Sequence, residues 1–159
     1  MHYKNFLPIA LSSLSLVLAG CTLTPANNST LLPPTPVSGT YLFTMELGTN
    51  YLSGSNCPSE ALTFTTEGKA ELDVATDGST IGMQIESENL QFSRVGGGVY
   101  ETASSPFPTK DGQDNAVTGS VFFNLTPRET TVIDGLLKWD NTVGCTGTYP
   151  FLLEYELPD

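Results

Sequence analysis

The thiol with the most distinctive sequence setting in this 159-residue chain is that of Cys21, which directly follows an apolar run. Lys4 and the free amine supply positive charge, residues 6–18 are almost entirely apolar, and Ala19 and Gly20 are small. This order is typical of a secretory signal that is cut after the small residues. The apolar run is shorter than the ~20 residues that a membrane-spanning helix needs. The pattern therefore predicts export, with Cys21 at the start of the mature protein.

The junction Leu18-Ala19-Gly20-Cys21 resembles the lipobox of bacterial lipoproteins. The resemblance implies that residues 1–20 are removed and that Cys21 receives a diacylglyceryl thioether and an N-acyl chain. Acyl chains contribute ~0.8 kcal/mol per buried methylene, so several of them would anchor the protein to a membrane. Thr22 is not the Asp that typically retains a lipoprotein at the inner membrane. The resemblance thus implies the outer membrane in a Gram-negative host and an outward-facing anchor in a Gram-positive one; an ordinary secretory signal is the alternative.

Removal of the signal changes the inventory of charged and catalytic side chains. It deletes His2, the only histidine, and Lys4, so the net charge of −11 becomes one unit more negative. Without histidine, the mature chain has no His-containing triad and no imidazole metal ligand. Without a run of Lys or Arg, it has no footprint for nucleic acid. An acidic surface would instead attract cationic proteins.

Two cysteines remain once Cys21 is assigned to lipid. Cys57 and Cys145 would then lie in an oxidising compartment, where such a pair usually forms a disulfide. Free buried thiols are the alternative. A disulfide would remove the last thiol nucleophiles from the chain.

The remaining polar motifs favour structure over chemistry. Residues 111–115 are rich in side-chain oxygens within the longest predicted loop, 104–115, but they lack the alternating spacing of an EF-hand, which favours a solvated turn over a calcium site. The glycines 96–98 lie between two predicted strands and indicate a hairpin. Trp139 is predicted to be core and Arg94 to be a surface residue. We therefore predict no catalytic residue, no metal and no cofactor; a paired-carboxylate hydrolase remains formally open.

The mature chain divides into a tether and one domain. Residues 21–37 contain four prolines among Asn, Ser and Thr and no period of apolar residues, which predicts a flexible, partly extended linker. Residues 38–159 are enough for a single domain. Their apolar residues alternate with polar ones, which is typical of strands with one buried face. The predicted inward-facing sets are Tyr41, Phe43, Met45 and Leu47; Leu62 and Phe64; Ala70, Leu72 and Val74; Ile81, Met83 and Ile85; Leu90 and Phe92; Val117, Val121, Phe123 and Leu125; Ile133, Leu137 and Trp139; and Tyr149, Phe151, Leu153 and Tyr155.

Short turns are predicted between these strands, at Glu67-Gly68, Asp77-Gly78, Gly96-Gly97 and Pro127-Arg128. The result is an all-β antiparallel meander of eight or nine strands. Closure into an up-and-down barrel removes exposed edges and makes the first and last strands neighbours, where a Cys57–Cys145 bridge would be short. A β-sandwich is the alternative.

In strand count, meander order and size, residues 39–157 resemble small calycin-type barrels such as the lipocalins. Tyr41 stands where the Gly-x-Trp signature of lipocalins has Trp, and no site residue is transferred. With catalytic chemistry disfavoured and a lipid anchor implied by the lipobox, we expect a non-catalytic, membrane-anchored module that binds a small apolar ligand or an envelope protein. The alternatives are a periplasmic inhibitor of a basic enzyme such as lysozyme and a structural envelope lipoprotein. An apolar cavity would favour the first function, and a packed interior with a protruding rigid loop would favour the inhibitor.

Overall fold

The computed structural model describes residues 32–59 and 65–157. The signal, the lipobox, most of the tether and the strand predicted around Leu62 and Phe64 lie outside these residues. The described part contains one 3-10 turn, Thr49–Tyr51, and no helix long and apolar enough to cross a membrane. Its strands are β1 (Gly39–Met45), β2 (Leu52–Gly54), β3 (Glu67–Val74), β4 (Thr80–Ile85), β5 (Glu88–Gly96), β6 (Val99–Thr102), β7 (Ser105–Lys110), β8 (Ala116–Pro127), β9 (Val132–Asn141) and β10 (Cys145–Tyr155).

Eight of these strands form a closed antiparallel barrel. The order around the wall is β1, β3, β4, β5, β6, β8, β9 and β10, and β10 pairs with β1 to complete the circle. The closing register runs from Tyr41 opposite Tyr155 to Met45 opposite Phe151. The two further strands pair outside this circle, β2 with β10 and β7 with β8. The all-β, up-and-down barrel is therefore confirmed, and the sandwich is not formed.

Strict alternation of apolar and polar residues places the core inside the barrel. In β1, Tyr41, Phe43 and Met45 are buried, whereas Leu42 and Thr44 between them are exposed. Burial thus repeats every two residues, because the pleat of a strand turns successive side chains to opposite faces. The buried apolar residues from the other strands are Ala70, Leu72, Ile81, Met83, Phe92, Tyr100, Leu125, Ile133, Leu137, Trp139, Cys145, Tyr149, Phe151 and Leu153.

One end of the barrel is filled by side chains, and we call it the packed end. Residues 33–37, the last part of the predicted tether, contact this end rather than extending away from it. The Val37 N–H donates to the Thr130 carbonyl at 3.0 Å, and the Tyr41 hydroxyl donates to the Val37 carbonyl at 2.9 Å. Pro36 is buried. The fully buried side chains of the packed end are Tyr41, Ile81, Phe92, Tyr100, Leu125, Ile133 and Leu153.

Two of the predicted hairpin turns are confirmed. Gly78, in the β3–β4 turn, has φ of +66°, and Gly97, between β5 and β6, has φ of +55°. These values lie in the left-handed region that glycine adopts without steric cost. Gly78 follows Asp77 and Gly97 follows Gly96, as in the two predicted turn pairs.

Of the other two turn predictions, one is wrong and one is displaced by a residue. Glu67 and Gly68 are the first residues of β3 and pair with Thr44 and Phe43 of β1. Pro127 is the last residue of β8 and pairs with Ile133, so the turn lies after it. A proline is tolerated at a strand end because no further ladder hydrogen bond is required of it there.

The predicted long loop, 104–115, is mostly strand. Its residues 105–110 form β7, which pairs with β8 over six residue pairs from Ser105 opposite Val121 to Lys110 opposite Ala116. Only residues 111–115 remain as a turn. Pro106 and Pro108 are incompatible with a central strand, which led to the prediction of a loop. An edge strand accommodates both prolines, and the prediction did not consider one.

Cys57 and Cys145 form a disulfide, with their Cα atoms 4.9 Å apart. Cys145 is the first residue of β10 and pairs with Gly54 of β2. The prediction of a short bridge is confirmed. The strand that brings Cys57 close to β10 is β2, however, and not β1 as predicted. The disulfide therefore fixes Cys57, which lies between β1 and β3, to the first residue of β10.

Candidate functional site

The wall of the barrel is incomplete between β5 and β7. β6 pairs with β5 only at residues 92–96 and then leaves it after Thr102. The chain continues as β7, which follows β8 away from β5. As a result, the stretch of β5 at residues 88–91 pairs with β4 on one side and with no described strand on the other. We call the space between residues 88–91 and residues 102–107 the wall gap.

The wall gap opens into a cavity of about 620 Å³ inside the barrel. Four consecutive residues of β5, 88–91, contribute to its lining, and so do residues 105–107 of β7. Successive residues of a strand point to opposite faces, so a run of consecutive residues can line one cavity only where the cavity passes the edge of that strand. The cavity thus reaches the surface through the wall as well as facing the interior.

The inner lining is apolar. Its side chains come from six strands and from both sides of the barrel, so the cavity lies in the interior. On β1, β4, β8 and β9 these residues lie at the opposite end of the strand from the buried residues of the packed end. We call this half of the barrel, opposite the packed end, the cavity end. The apolar lining residues are Phe43, Met45, Ile85, Leu90, Phe107, Val121, Phe123 and Leu137.

An aromatic cluster forms part of the cavity wall and extends behind it. The Phe151 ring lies 5.3 Å from that of Phe43 and 6.3 Å from that of Phe123, measured between ring centroids. Phe151 packs over Gly135 of β9, where a Cβ atom would collide with its ring. Glycine at this position therefore lets Phe151 lie flat against the wall. Sequence reasoning missed the role of Gly135, although a glycine inside a strand pattern is itself a signal of close approach.

Polar groups are confined to the rim. Glu88, Asn89 and Gln91 lie on the β5 side of the wall gap, and Thr102 and Ser105 lie on the other side. An apolar interior with a few polar groups at the entrance is typical of small-molecule sites, whose volumes are usually about 300–1,000 Å³. The cavity has the size and the polarity of such a site.

The β7 edge of the wall gap cannot pair with another strand in the usual way. Pro106 and Pro108 have no N–H, and the ladder between β7 and β8 is continuous, so Phe107 and the residues that alternate with it carry the hydrogen bonds to β8. The two prolines consequently face the free edge and remove the N–H donors at these two positions. Prolines at such positions protect edge strands from adding a further strand. In the same way, they disfavour pairing of β7 with the free edge of β5 across the wall gap.

The disulfide and two hydrogen bonds brace the loops beside the cavity end. The Gly112 N–H donates to the Asn56 carbonyl at 3.0 Å, and the Asn56 side-chain amide donates to the Val143 carbonyl at 3.3 Å. Cys57, next to Asn56, is covalently bound to Cys145. Three loops are therefore linked at one place. The 111–115 turn is held by this arrangement.

The oxygen cluster of residues 111–115 is an internally bonded turn. The Asp111 carboxylate accepts hydrogen bonds from the backbone N–H groups of Gln113 and Asn115 and from the Asn115 side-chain amide. The Asn115 side chain is the largest of the causes that lower the pKa of Asp111. In the described part of the chain, no group of three or more His, Cys, Asp or Glu side chains is close enough to hold a metal ion.

The two residues singled out for their side chains lie where the sequence predicts. Trp139 is 2% exposed and belongs to the core. Arg94 is exposed, and its guanidinium lies 5.7 Å from the centroid of the Tyr100 ring. Neither of them lines the cavity.

No protein-family model matches the sequence, and neither a curated protein nor a solved structure matches it.

Proposed function

We propose that this protein is a non-catalytic binding module that takes up a small apolar ligand through the wall gap. The observation that carries the proposal is the apolar cavity of about 620 Å³ with its entrance at the free edge of β5. Burial of apolar surface contributes about 25 cal/mol per Å², so a ligand of matching size gains affinity from the lining alone. The polar rim would orient it.

The proposal includes the place where the module works. The lipobox resemblance at Cys21 supports a lipid anchor in the cell envelope, on the outer membrane if the host is Gram-negative. A tethered barrel would meet apolar molecules that leave or enter the membrane. An acylated Cys21 in mass spectrometry of the mature N-terminus supports the anchor, and an unmodified thiol there argues against it.

An inhibitor of a basic enzyme is the second candidate. The observation in its favour is the 111–115 turn, which carries Asp111 and Asp114 and is braced next to the disulfide. A rigid acidic loop fits the cleft of a cationic enzyme. The inhibitor hypothesis, however, assigns no role to an unfilled apolar interior, and ligand binding does. A structural envelope lipoprotein, the third possibility, has no observation of its own.

Fluorescence titration with an uncharged apolar dye, N-phenylnaphthylamine, tests the ligand-binding proposal. We expect saturable binding at one site and a rise in melting temperature. A ligand present at 100 times its Kd stabilises the native state by about 2.7 kcal/mol.

Two tryptophan variants locate the site. Ala103 is exposed in the wall gap, so Ala103→Trp should obstruct the entrance and weaken dye binding about tenfold or more, at an unchanged melting temperature without dye. Thr76 is exposed in the β3–β4 turn and does not line the cavity, so Thr76→Trp is the matched control. Equal binding by both variants, or no saturable binding by the unaltered protein, contradicts the proposal.

A further inference from the structure

We infer that the ligand is an amphiphile whose polar end is uncharged or cationic, and that the wall gap discriminates against anionic amphiphiles. The inference rests on the proposed function, because it names the chemistry of the molecule that the cavity would hold. Among the described residues, the entrance has one acidic side chain and no basic one, and this arrangement of charges carries the inference.

Among the residues that the structure describes, the only charged side chain in the cavity lining is that of Glu88. The other polar lining side chains are the amides of Asn89 and Gln91 and the hydroxyls of Thr65, Thr102 and Ser105. Amides and hydroxyls donate and accept hydrogen bonds without charge. The entrance therefore offers one negative charge and several neutral hydrogen-bonding groups to the polar end of a ligand.

The free edge of β5 adds backbone groups to the same entrance. In an antiparallel sheet every second residue turns its N–H and C=O to the same neighbour, so two residues among 88–91 turn these groups away from β4. No described strand pairs with them. The carbonyls accept from a hydroxyl, amide or ammonium, and the N–H groups donate to neutral or anionic oxygens. The free edge therefore binds a polar end without selecting the sign of its charge, and the selection comes from Glu88.

The basic side chains of the described residues are all engaged elsewhere. Lys69 forms an ion pair with Glu156 at 2.7 Å, and Lys110 lies 3.5 Å from Asp114. The Arg128 guanidinium bonds to the carboxylate of Asp134. These three pairs leave two basic residues.

The other two cations lie over aromatic rings. Arg94 is above Tyr100 in the packed end, and the Lys138 amine is 5.3 Å from the centroid of the Phe122 ring. None of the five lines the cavity. An anionic end at the wall gap would thus meet no countercharge and one like charge, in a protein with net charge −11. Partial burial of an unpaired charge is costly, which makes anions the disfavoured class.

A series of decyl amphiphiles tests the inference, because it changes the charge and keeps the chain constant. Decyltrimethylammonium, decyl glucoside and decanoate, each below its micelle concentration at pH 8, would compete with N-phenylnaphthylamine for the purified protein. One exposed ion pair contributes up to about 1 kcal/mol, or about fivefold in affinity. Attraction of the cation and repulsion of the anion together predict that decyltrimethylammonium binds about tenfold or more tightly than decanoate.

Charge reversal at one position identifies the group responsible. Glu88→Lys should reduce the preference for the cation about tenfold or invert it, and Glu88→Gln should give an intermediate preference. Glu129→Lys is the matched control, because it makes the same change in net charge at an exposed turn that does not line the cavity. In Glu129→Lys the preference for the cation should remain, reduced only slightly by the change in the net charge of the protein.

The outcomes separate the inference from the proposed function. If all three amphiphiles and the dye fail to bind, both are overturned. If decanoate binds as tightly as decyltrimethylammonium, or if both Lys variants shift the preference equally, the cavity remains a ligand site and the assigned polar chemistry is wrong.

Discussion

The two ends of the barrel bury the inner faces of the same strands in different ways. At the packed end, aromatic and branched side chains such as Tyr41, Tyr100 and Leu125 are fully buried, and residues 33–37 lie across them. At the cavity end, the inward-facing Leu90 and Phe123 remain partly exposed around empty space. The packed end is filled, whereas the cavity end combines an empty space with buried side chains of β9 and β10.

The difference arises from strand length and pairing. β8, β9 and β10 have 10 to 12 residues, whereas β3, β4 and β5 on the opposite side have 6 to 9. The long strands therefore extend past the ends of the short strands across the barrel. Their inward-facing side chains have no opposite side chains there to fill the interior. The wall gap removes a further part of the enclosure. A cavity is the geometric consequence.

Each end is stabilised by a different kind of interaction. The packed end has apolar packing and tyrosine hydrogen bonds, and the cavity end has the Cys57–Cys145 disulfide with its linked loops. A covalent link keeps the open half folded without filling its interior. Both ends therefore contribute to stability, whereas only the cavity end has room for the proposed ligand, and each statement can be tested.

The largest expected effect is loss of the disulfide. The double variant Cys57→Ser/Cys145→Ser opens a loop of 88 residues, which corresponds to ~4–5 kcal/mol of stability in the chain-entropy model. We expect the melting temperature to fall by roughly 10 °C or more. Because the bridge braces the cavity end, dye binding should weaken even at temperatures at which the variant remains folded.

Calorimetry of the oxidised, reduced and double-variant proteins checks this prediction. The reduced protein should behave like the double variant, which separates the bridge from the effect of the serines. Equal melting temperatures before and after reduction would show that the cavity end is held by other contacts.

A pair of leucines tests the difference in packing with one chemical change. Leu125 is fully buried at the packed end, and Leu90 lines the cavity and is only partly buried. Leu→Ala in a tight core costs about 2–5 kcal/mol because a cavity is left behind. We expect about 3 kcal/mol for Leu125→Ala and about 1 kcal/mol for Leu90→Ala, measured by urea denaturation. Leu90→Ala should change dye binding more than Leu125→Ala does; similar costs for both would break the comparison.

Much of the packed end could be predicted from the sequence. The alternation in β1, β9 and β10 identifies their inward faces, since Tyr41, Ile133 and Leu153 all prove fully buried. Closure follows from the need to cover an apolar face and remove edges. The contact of residues 33–37 with the packed end could not be predicted, because it depends on single hydrogen bonds and on buried Pro36 rather than on a repeating pattern.

The cavity end is harder to predict because a cavity has no pattern of its own. Leu90 and Phe123 alternate like core residues, and alternation does not report whether the space between opposite strands is filled. Pro106 and Pro108 obscured β7, since prolines indicate a loop unless a free edge is already known. The break between β6 and β7 at residues 103–104 depends on which half of β8 each strand pairs with, which is a tertiary property.

The smallest effect concerns the hydroxyl of Tyr41, which links the packed end to residues 33–37. Burial is the largest cause that raises the pKa of Tyr41, to about 12, whereas a tyrosine in the unfolded chain ionises near pH 10. Between these pH values the unfolded state has released its proton and the native state has not, so stability falls as pH rises through this window and is fully present below it. Tyr41→Phe removes the hydroxyl that donates to the carbonyls of Val37 at 2.9 Å and Thr130 at 3.2 Å, which should cost about 1 kcal/mol at pH 8. It should also make the loss of stability between pH 10 and 12 less steep than in the unaltered protein, as measured by melting temperature against pH. If the two curves run parallel across that window, the buried hydroxyl does not control the alkaline stability of the packed end. The hydroxyl would then act at the packed end through its hydrogen bonds to the Val37 and Thr130 carbonyls, and not through its ionisation.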